Sequence, residues 1–249
     1  MNESNTVSRV LDLAQRCYEK GIYTYTGFLS ADELSEVMSA SKQFSHVPYE
    51  IFGGYEDAER CVLRFGNEEF LGYAEEHPID ILKIKPVNRK FSQELTHRDF
   101  LGALMNLGIE RDVLGDIIVN DSEAYIFVKN SISEYIKENL SGVKHTTVTV
   151  ENVGELPAVA LKEPVRTKIM ISSERIDAVV AKIYGFSREK SIGLFRERKV
   201  FLNGKICENN SAQVKAGDRI TVRGFGKFVY IGATGMSRKG KINAEADVY

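Results

Sequence analysis

Positively charged side chains are concentrated in one short stretch of the chain. Residues 187–205, with the sequence SREKSIGLFRERKVFLNGK, contain three arginines and three lysines, although the whole chain of 249 residues has a formal net charge of −2. Lysine and arginine bind phosphate oxygens, and the planar arginine side chain also stacks on unpaired bases. The stretch therefore indicates a surface for a polyanion, unless its charges only solvate a helix face.

The charge of the two parts of the chain differs in sign. Residues 172–249 contain 15 Lys and Arg against 8 Asp and Glu, a net charge of +7. Residues 1–171 contain 18 Lys and Arg against 27 Asp and Glu, a net charge of −9. Such asymmetry indicates a basic module for an anionic partner, and nucleic acid is the commonest partner of this kind.

A helix and a hairpin are expected to position the charges of residues 187–205. Ser187 is predicted to cap the helix, Ile192 and Phe195 point together toward a core, and Asn203 followed by Gly204 predicts a two-residue turn. The amides of the first helical turn also favour a phosphate oxygen. The candidate RNA-binding residues are Arg188, Lys190, Ser191, Arg196, Arg198, Lys199 and Lys205.

Acidic neighbours leave a second interpretation of these residues open. Glu189 and Glu197 lie among the basic side chains and could neutralise some of them. Those side chains would then be ordinary solvated charges, because exposed ion pairs are common on protein surfaces.

Four motifs extend this pattern over about 50 residues and closely resemble the S4 domain, a small RNA-binding fold. They are Arg175-Ile176-Asp177, then Ser187-Arg188 with Ser191, then Val200 with Leu202-Asn203-Gly204, and finally Val214 with Gly217, Asp218 and Ile220. The resemblance implies two helices side by side, followed by a hairpin and closing strands. We expect Arg175 and Asp177 to hold the domain together, bonded to the backbone or to each other, rather than to contact RNA.

One position departs from the S4 pattern. The family usually has a left-handed glycine at the end of the second helix, where this chain has Arg198. A residue with a side chain costs about 1 kcal/mol in that conformation. We therefore expect either a strained helix end or a shifted one, and Arg198 could also be an additional RNA contact.

Residues 235–242, GMSRKGKI, match the beginning of a phosphate-binding loop. Ile242 stands where such a loop needs serine or threonine for Mg²⁺, and only seven residues follow it in place of the required helix. We therefore predict no nucleotide site here, but a flexible basic tail that contacts RNA. Its contact residues would be Arg238, Lys239 and Lys241.

The middle of the chain alternates strands and helices in the order β-α-β-β-α-β. This order is typical of the ferredoxin-like fold that many RNA-binding modules share. Ser131 and Gly142 are predicted to cap its second helix. Tyr125 and Phe127 lie two residues apart and could face outward together to stack on bases, or they could be core residues.

Arg111 is a possible second RNA contact in the middle of the chain. It lies at the turn of the sequence GIERDVLGDII, close to two aspartates. A local pair with Asp112 or Asp116 is the favoured alternative, which would make Arg111 a structural residue.

The predicted fold class is therefore α+β and multidomain, with a ferredoxin-like middle domain and a C-terminal S4 domain of the αL type. Residues 1–77 would form a small α/β domain in which Ser30 and Glu33 predict a capping box. Residues 78–155 would form the middle domain and 156–167 a linker. Residues 168–249 would form the S4 domain with its basic tail.

The sequence predicts no catalytic residue, metal site or cofactor. Three widely spaced cysteines and four histidines lack metal-ligand spacing. Asp177 resembles the catalytic aspartate of some pseudouridine synthases, but it lies at the start of an S4 helix and no large catalytic domain follows. No apolar run reaches the roughly 18 residues of a membrane span, so a cytoplasmic protein without membrane or small-molecule partners is expected.

Nearly the full length of the chain resembles the YlmH-type RNA-binding proteins of Gram-positive bacteria. GGYEDAERCVLRF, HRDFLGALMNLGIERDVLGDIIV and the S4 motifs carry this resemblance. It implies a nonenzymatic factor that binds ribosomal RNA of the large subunit, with tRNA as a further RNA partner, and that helps to rescue stalled subunits holding peptidyl-tRNA. The alternatives are an RNA-modifying or tRNA-linked enzyme with an accessory S4 domain, and a protein-interaction adaptor linked to cell division.

Overall fold

The structure of the protein is a computed structural model that describes residues 5–56, 58–88, 95–120, 123–160 and 163–249. The chain divides into two compact units, Met1–Leu161 and Lys162–Tyr249. Each unit combines helices with antiparallel strands, which confirms the predicted α+β, multidomain fold class. Among the described residues, no helix is long and apolar enough to cross a membrane.

The first unit begins with helices packed on a small sheet. The elements are α1 (Asn5–Lys20), β1 (Thr24–Tyr25), α2 (Ala31–Ser39), β2 (Tyr49–Phe52), β3 (Val62–Phe65) and α3 (Glu68–Leu71). The strands are ordered β1-β3-β2. The predicted capping box begins α2, because Ser30 Oγ accepts the N–H of Glu33 and the Glu33 carboxylate accepts the N–H of Ser30 at 2.7 Å.

The first unit continues with a five-stranded sheet and two helices. The elements are β4 (Ile79–Pro86), α4 (His97–Asn106), β5 (Leu114–Asn120), β6 (Glu123–Lys129), α5 (Asn130–Asn139), β7 (Gly142–Val143) and β8 (Thr146–Asn152). The strand order is β5-β6-β4-β8-β7. This is the predicted ferredoxin-like topology with the short β7 added at one edge.

The predicted caps of α5 are wrong. The helix begins at Asn130, directly after β6, with Lys129 at the N-cap position, and it ends before Leu140. Ser131 therefore lies within the first helical turn, and Gly142 belongs to β7. The strand runs straight into the helix, so no separate polar capping residue is used there.

The two faces of the five-stranded sheet have different neighbours, because successive side chains of a strand point to opposite faces. One face packs on α4 and α5 through Leu82, Ile84, Ile126, Val128, Phe100, Leu104 and Ile136. The opposite face carries Ile81, Tyr125 and Phe127 and packs on Phe28 and Val62 of the preceding segment. The first face is therefore buried, and the second is buried around Phe127 but open at Lys85 and Glu151, whose side chains are 39% and 47% exposed.

The second unit is a six-stranded antiparallel sheet with a helix pair. Its elements are β9 (Val165–Ile171), α6 (Ile176–Ile183), α7 (Arg188–Arg196), β10 (Val200–Leu202), β11 (Lys205–Ile206), β12 (Arg219–Val222), β13 (Gly226–Met236) and β14 (Ile242–Val248). The strand order is β11-β10-β12-β13-β14-β9. The core joins both helices to the sheet through Ile176, Val180, Leu194, Phe195, Val222 and Phe228. The helix pair, hairpin and closing strand predicted from the four motifs are all present.

The predicted flexible C-terminal tail is wrong. Residues 242–248 form β14, which pairs with β13 on one side and with β9 on the other. Its sequence INAEADV alternates, so that Ala244 and Ala246 are buried while Glu245 and Asp247 lie on the opposite face. This period of two could have predicted a strand, but the basic residues before it suggested a tail.

Candidate nucleic-acid interface

A partly buried polar network joins the two helices of the second unit at Asp177. Arg175 donates from Nε and Nη2 to the Asp177 carboxylate at 3.0 and 2.6 Å. Asn210 Nδ2 donates to the same carboxylate at 3.1 Å. Ser191 on α7 donates its hydroxyl to the backbone carbonyl of Asp177 at 2.8 Å. Arg175 and Asp177 therefore bind each other and hold the domain together, as predicted.

The prediction that Ser191 contacts RNA is wrong. Its relative exposure is 0%, and its hydroxyl is already bonded to the carbonyl of Asp177. A serine fits here because a small polar side chain can reach the neighbouring helix without leaving a buried donor unpaired. The Ser-Arg motif thus combines a residue that faces inward with a neighbour, Arg188, that faces solvent.

The first turn of α7 presents Arg188 and Lys190 to solvent. Ser187 caps this turn as predicted, since its hydroxyl accepts the N–H of Lys190 at 3.1 Å. At the other end of the helix Arg196 is also exposed, and Lys205 is exposed after the hairpin turn. Within the described parts of the chain, no ion pair engages Arg188, Arg196 or Lys205.

Two of the predicted contact residues are paired with acidic neighbours. Lys199 Nζ lies 2.6 Å from Glu197 Oε2, and Arg198 Nε lies 3.2 Å from Glu208 Oε1. All four side chains are at least two-fifths exposed, so these pairs contribute little to stability and can be exchanged for phosphate contacts. The partial neutralisation expected from Glu197 is therefore present.

Arg198 keeps the left-handed conformation that the family usually gives to glycine. Its φ is +54°, and it ends α7 in a Schellman motif. Lys199 N donates to the carbonyl of Leu194 at 2.9 Å, and Arg198 N donates to that of Phe195 at 3.0 Å. The end of the helix is thus not shifted, and the conformation of Arg198 carries the expected cost of about 1 kcal/mol.

The hairpin turn is fixed to the loop that precedes β12. Asn203 and Gly204 have φ values of +51° and +78°, as the predicted two-residue turn requires. Asn203 Nδ2 donates to Asp218 at 2.9 Å, and its Oδ1 accepts the N–H of Arg219 at 2.9 Å. The Asn-Gly and Gly-Asp motifs therefore support each other and hold Lys205 in place.

The three basic residues predicted for the tail lie in the tight turn between β13 and β14. Ser237 N donates to the carbonyl of Lys241 at 2.7 Å, and Lys241 N donates to Ser237 Oγ at 3.0 Å. Arg238, Lys239 and Lys241 are exposed there. Their strands lie on the β9 side of the sheet, whereas the hairpin that carries Lys205 forms the opposite edge.

Sequence reasoning missed the turn between β12 and β13. This turn, RGFGK, places Phe225 between two glycines and between the basic residues Arg223 and Lys227. Phe225 is 43% exposed, and Lys190 of α7 lies with its Nζ 5.2 Å from the centroid of the Phe225 ring. The signal that could have found it is an isolated aromatic residue in a short glycine-rich turn with basic neighbours.

The aromatic residues of the middle sheet are buried and do not form an open stacking surface. Tyr125 and Phe127 belong to the cluster that includes Phe28 and Val62. Tyr55 stacks on Phe127 with their ring centroids 5.1 Å apart. A Cβ on Gly54 would overlap the Phe127 ring. The core alternative for Tyr125 and Phe127 is therefore the one that the structure supports.

Arg111 is bonded to backbone carbonyls, which favours the structural alternative for this residue. Its Nη1 donates to the backbone carbonyls of Leu114 and Gly115 at 2.8 and 3.2 Å. Burial and the like charge of Arg60 lower the pKa of Arg111 to about 10, which still leaves it charged at neutral pH. The bonds go to carbonyls and not to Asp112 or Asp116, the partners that the sequence suggested.

Asp116 has a separate role in the same region. Its carboxylate accepts hydrogen bonds from the hydroxyl of Tyr55 at 2.9 Å and from the backbone N–H groups of Glu59 and Arg60 at 2.7 and 3.1 Å. These bonds attach the segment before β3 to the five-stranded sheet. The attached segment covers the part of the sheet face that carries Phe127.

The described residues do not present a metal or thiol centre. Among them no group of three or more His, Cys, Asp or Glu is placed to hold a metal ion. Cys17, Cys61 and Cys207 are buried free thiols, and burial raises the pKa of each, that of Cys61 to about 11. A reactive thiolate is therefore disfavoured at neutral pH.

Two known families match parts of the first unit. Residues 73–156 match the family described as "Putative RNA-binding domain in YlmH", and residues 2–70 match "YlmH, N-terminal". Over these residues the chain is of YlmH type. The chain is also similar to the "Ribosome-associated protein quality control protein P2" of Bacillus subtilis (strain 168). The two sequences are 26% identical over 242 residues, which cover 96% of this chain and 93% of the relative.

The chain is also similar to a solved structure. That structure is the cell division protein ylmH from Streptococcus pneumoniae, which is 18% identical with a TM-score of 0.48. The match covers 61% of this chain and 94% of that chain.

Proposed function

We propose that this protein binds ribosomal RNA of the large ribosomal subunit through the second unit. The contact surface would be the exposed side of α7 together with the β10–β11 turn. The observation that carries the proposal is the contrast between inward and outward polar residues. Arg175, Asp177 and Ser191 bind one another, whereas Arg188 and Lys205 remain exposed outside any ion pair of the described residues.

The charge of the region supports a polyanion as the partner. Residues 172–249 have a net charge of +7, whereas residues 1–171 have a net charge of −9. A basic surface attracts RNA over distances comparable to the Debye length, and an acidic remainder limits indiscriminate binding along the polymer. The remaining contact residues of the proposed surface are Lys190, Arg196, Arg198 and Lys199.

The biological role that we propose follows the relative from Bacillus subtilis, whose name describes a ribosome-associated quality control protein. The protein would act in the cytoplasm on stalled large subunits that still hold peptidyl-tRNA. It would act by binding and not by catalysis, with tRNA as a second RNA partner. The basic turn with Arg238, Lys239 and Lys241 would supply a peripheral contact.

Sedimentation of ribosomes with the full-length chain tests this proposal. The wild-type protein is expected to comigrate with free large subunits at about 50 mM salt and to dissociate at several hundred millimolar, because phosphate contacts release counterions. Arg188→Glu should weaken binding about 10- to 100-fold, since it removes one phosphate contact and adds repulsion.

Lys168→Glu is the matched control for this experiment. Lys168 is 84% exposed on β9, the edge strand opposite β11, and its replacement changes the net charge of the same unit by the same amount. It is expected to leave subunit binding within about twofold, because charge outside the contact acts only through the screened field. Wild-type protein that stays at the top of the gradient at low salt would contradict the proposal.

A further inference from the structure

An aromatic cluster with a lysine lies beside the first turn of α7. Phe225 contacts Phe186 with their centroids 4.8 Å apart and an interplanar angle of 75°, and Tyr184 lies 5.6 Å from Phe186. Lys190 Nζ lies 4.1 Å from the centroid of Phe186 and 5.2 Å from that of Phe225. The cluster thus joins the end of α6, the start of α7 and the β12–β13 turn.

The backbone of the β12–β13 turn is built to present Phe225 at its tip. Gly224 and Gly226 on either side of it have φ values of +85° and +119°, a region that favours glycine. Phe225 N donates to the carbonyl of Val222 at 2.9 Å, so the turn is closed. A phenylalanine held in this way with 43% exposure forgoes burial that would stabilise the fold.

The residues around Phe225 indicate the chemistry of its partner. Arg223 begins the turn, with its backbone N–H bonded to the carbonyl of Lys199 at 2.8 Å and its guanidinium 5.4 Å from the Phe201 ring. A flat apolar ring with the Lys190 ammonium beside it matches a nucleotide, which offers an aromatic base and a phosphate. An apolar protein partner would gain nothing from this ammonium, because its desolvation costs free energy.

We propose that Phe225 stacks on an unpaired base of the bound RNA while Lys190 contacts the phosphate of the same nucleotide. This proposal rests on the proposed function and names the RNA element, a single-stranded or bulged nucleotide. Paired RNA does not fit, because its bases are stacked within the helix and present no free face. Stacking of one base on an aromatic side chain is sequence-tolerant, so the site selects an unpaired base rather than a particular one.

Large-subunit binding by two variants of Phe225 tests the stacking. Phe225→Leu keeps an apolar side chain but removes the flat ring, and it should weaken binding by about 5- to 150-fold. Phe225→Tyr keeps the ring and should bind within about twofold of wild type. Tyr18→Leu is the control, because it removes an even more exposed aromatic ring, at 57%, from the first unit and should leave binding unchanged.

The salt dependence separates this proposal from the proposed function. Phe225→Leu should keep the wild-type slope of log affinity against log salt, whereas Arg188→Glu should reduce it. Suppose that the wild-type protein binds subunits and Arg188→Glu does not. Equal affinities of Phe225→Leu and wild type would then overturn the stacking proposal and leave the proposed function standing. If the wild-type protein does not bind subunits, the proposed function fails.

A fluorescent base provides a direct readout. A short single-stranded RNA containing 2-aminopurine should be quenched when the full-length wild-type protein or Phe225→Tyr is added, because stacking quenches this base. The same RNA paired with its complement should show no change. Quenching that persists with Phe225→Leu would show that another residue stacks on the base. Equal thermal unfolding midpoints of the variants would exclude misfolding as the cause of lost quenching.

Discussion

The five-stranded sheet of the first unit and the β12–β13 turn of the second unit each place an aromatic ring beside a lysine. In the sheet, Lys83 Nζ lies 5.6 Å from the Tyr125 centroid, and in the turn, Lys190 Nζ lies 5.2 Å from the Phe225 centroid. Tyr125 is only 4% exposed and Lys83 is paired with Glu123 at 2.9 Å, whereas Phe225 is exposed.

The comparison shows that residue type and topology do not by themselves make a binding surface. The ferredoxin-like sheet has aromatic residues two positions apart on β6, as an RNA-stacking sheet would. The segment that carries Phe28 and Tyr55 occupies that face, so those rings stabilise the fold instead. In the second unit, Arg175, Asp177 and Ser191 bind one another internally, whereas Arg188 stays exposed.

The largest expected effect is the difference between Phe127 and Phe225 in how much an alanine substitution lowers the free energy of unfolding. Phe127→Ala should lower the free energy of unfolding of the first unit by about 3–5 kcal/mol, because a fully buried ring leaves a cavity under Tyr55. Phe225→Ala should cost the second unit less than about 1 kcal/mol. Urea unfolding of the full-length variants measures both, and similar costs at the two positions would contradict the contrast.

A smaller effect is expected from the matched arginines Arg111 and Arg188. Arg111→Ala should destabilise the first unit by about 1–2 kcal/mol, because the carbonyl of Gly115 loses its donor while Leu114 keeps a bond from Arg60 at 2.9 Å. Arg188→Ala should leave stability unchanged and weaken subunit binding. An Arg111 variant that folds normally but binds RNA less tightly would break the comparison and restore Arg111 as a contact.

The smallest effect concerns Arg198 at the end of α7. Arg198→Gly should stabilise the second unit by about 0.5–1 kcal/mol, because glycine relieves the left-handed strain and the exposed pair with Glu208 contributes little. Thermal unfolding measures this gain. Subunit binding of the same variant decides whether Arg198 contacts RNA, since affinity would then fall despite the higher stability.

Much of this architecture could be predicted because it depends on local rules. Ser30, Ser187 and the Asn203–Gly204 turn were found from capping and turn chemistry, which act over a few residues. Strand order in the middle sheet followed from the succession of periodic segments.

The remaining features depend on contacts between distant residues. The burial of Tyr125 and Phe127 depends on Phe28, which is far away in sequence, and the burial of Ser191 depends on the carbonyl of Asp177 on another helix. The conversion of the expected tail into β14 depends on pairing with β9. Local periodicity carries no information about such partners, although the alternation of residues 242–248 was a signal within reach.

The pairing of β14 with β9 has a consequence for the order of folding. Val165 lies opposite Val248 and Ile171 lies opposite Ile242, so the sheet joins residues made early in this unit to residues made late. Long-range pairings of this kind form slowly, because a long loop must close first. During vectorial synthesis β9 cannot enter the sheet until residues 242–248 have left the exit tunnel. A nascent chain would therefore complete its second unit only after its synthesis has passed this strand, and unfinished copies would lack part of the core that supports α7.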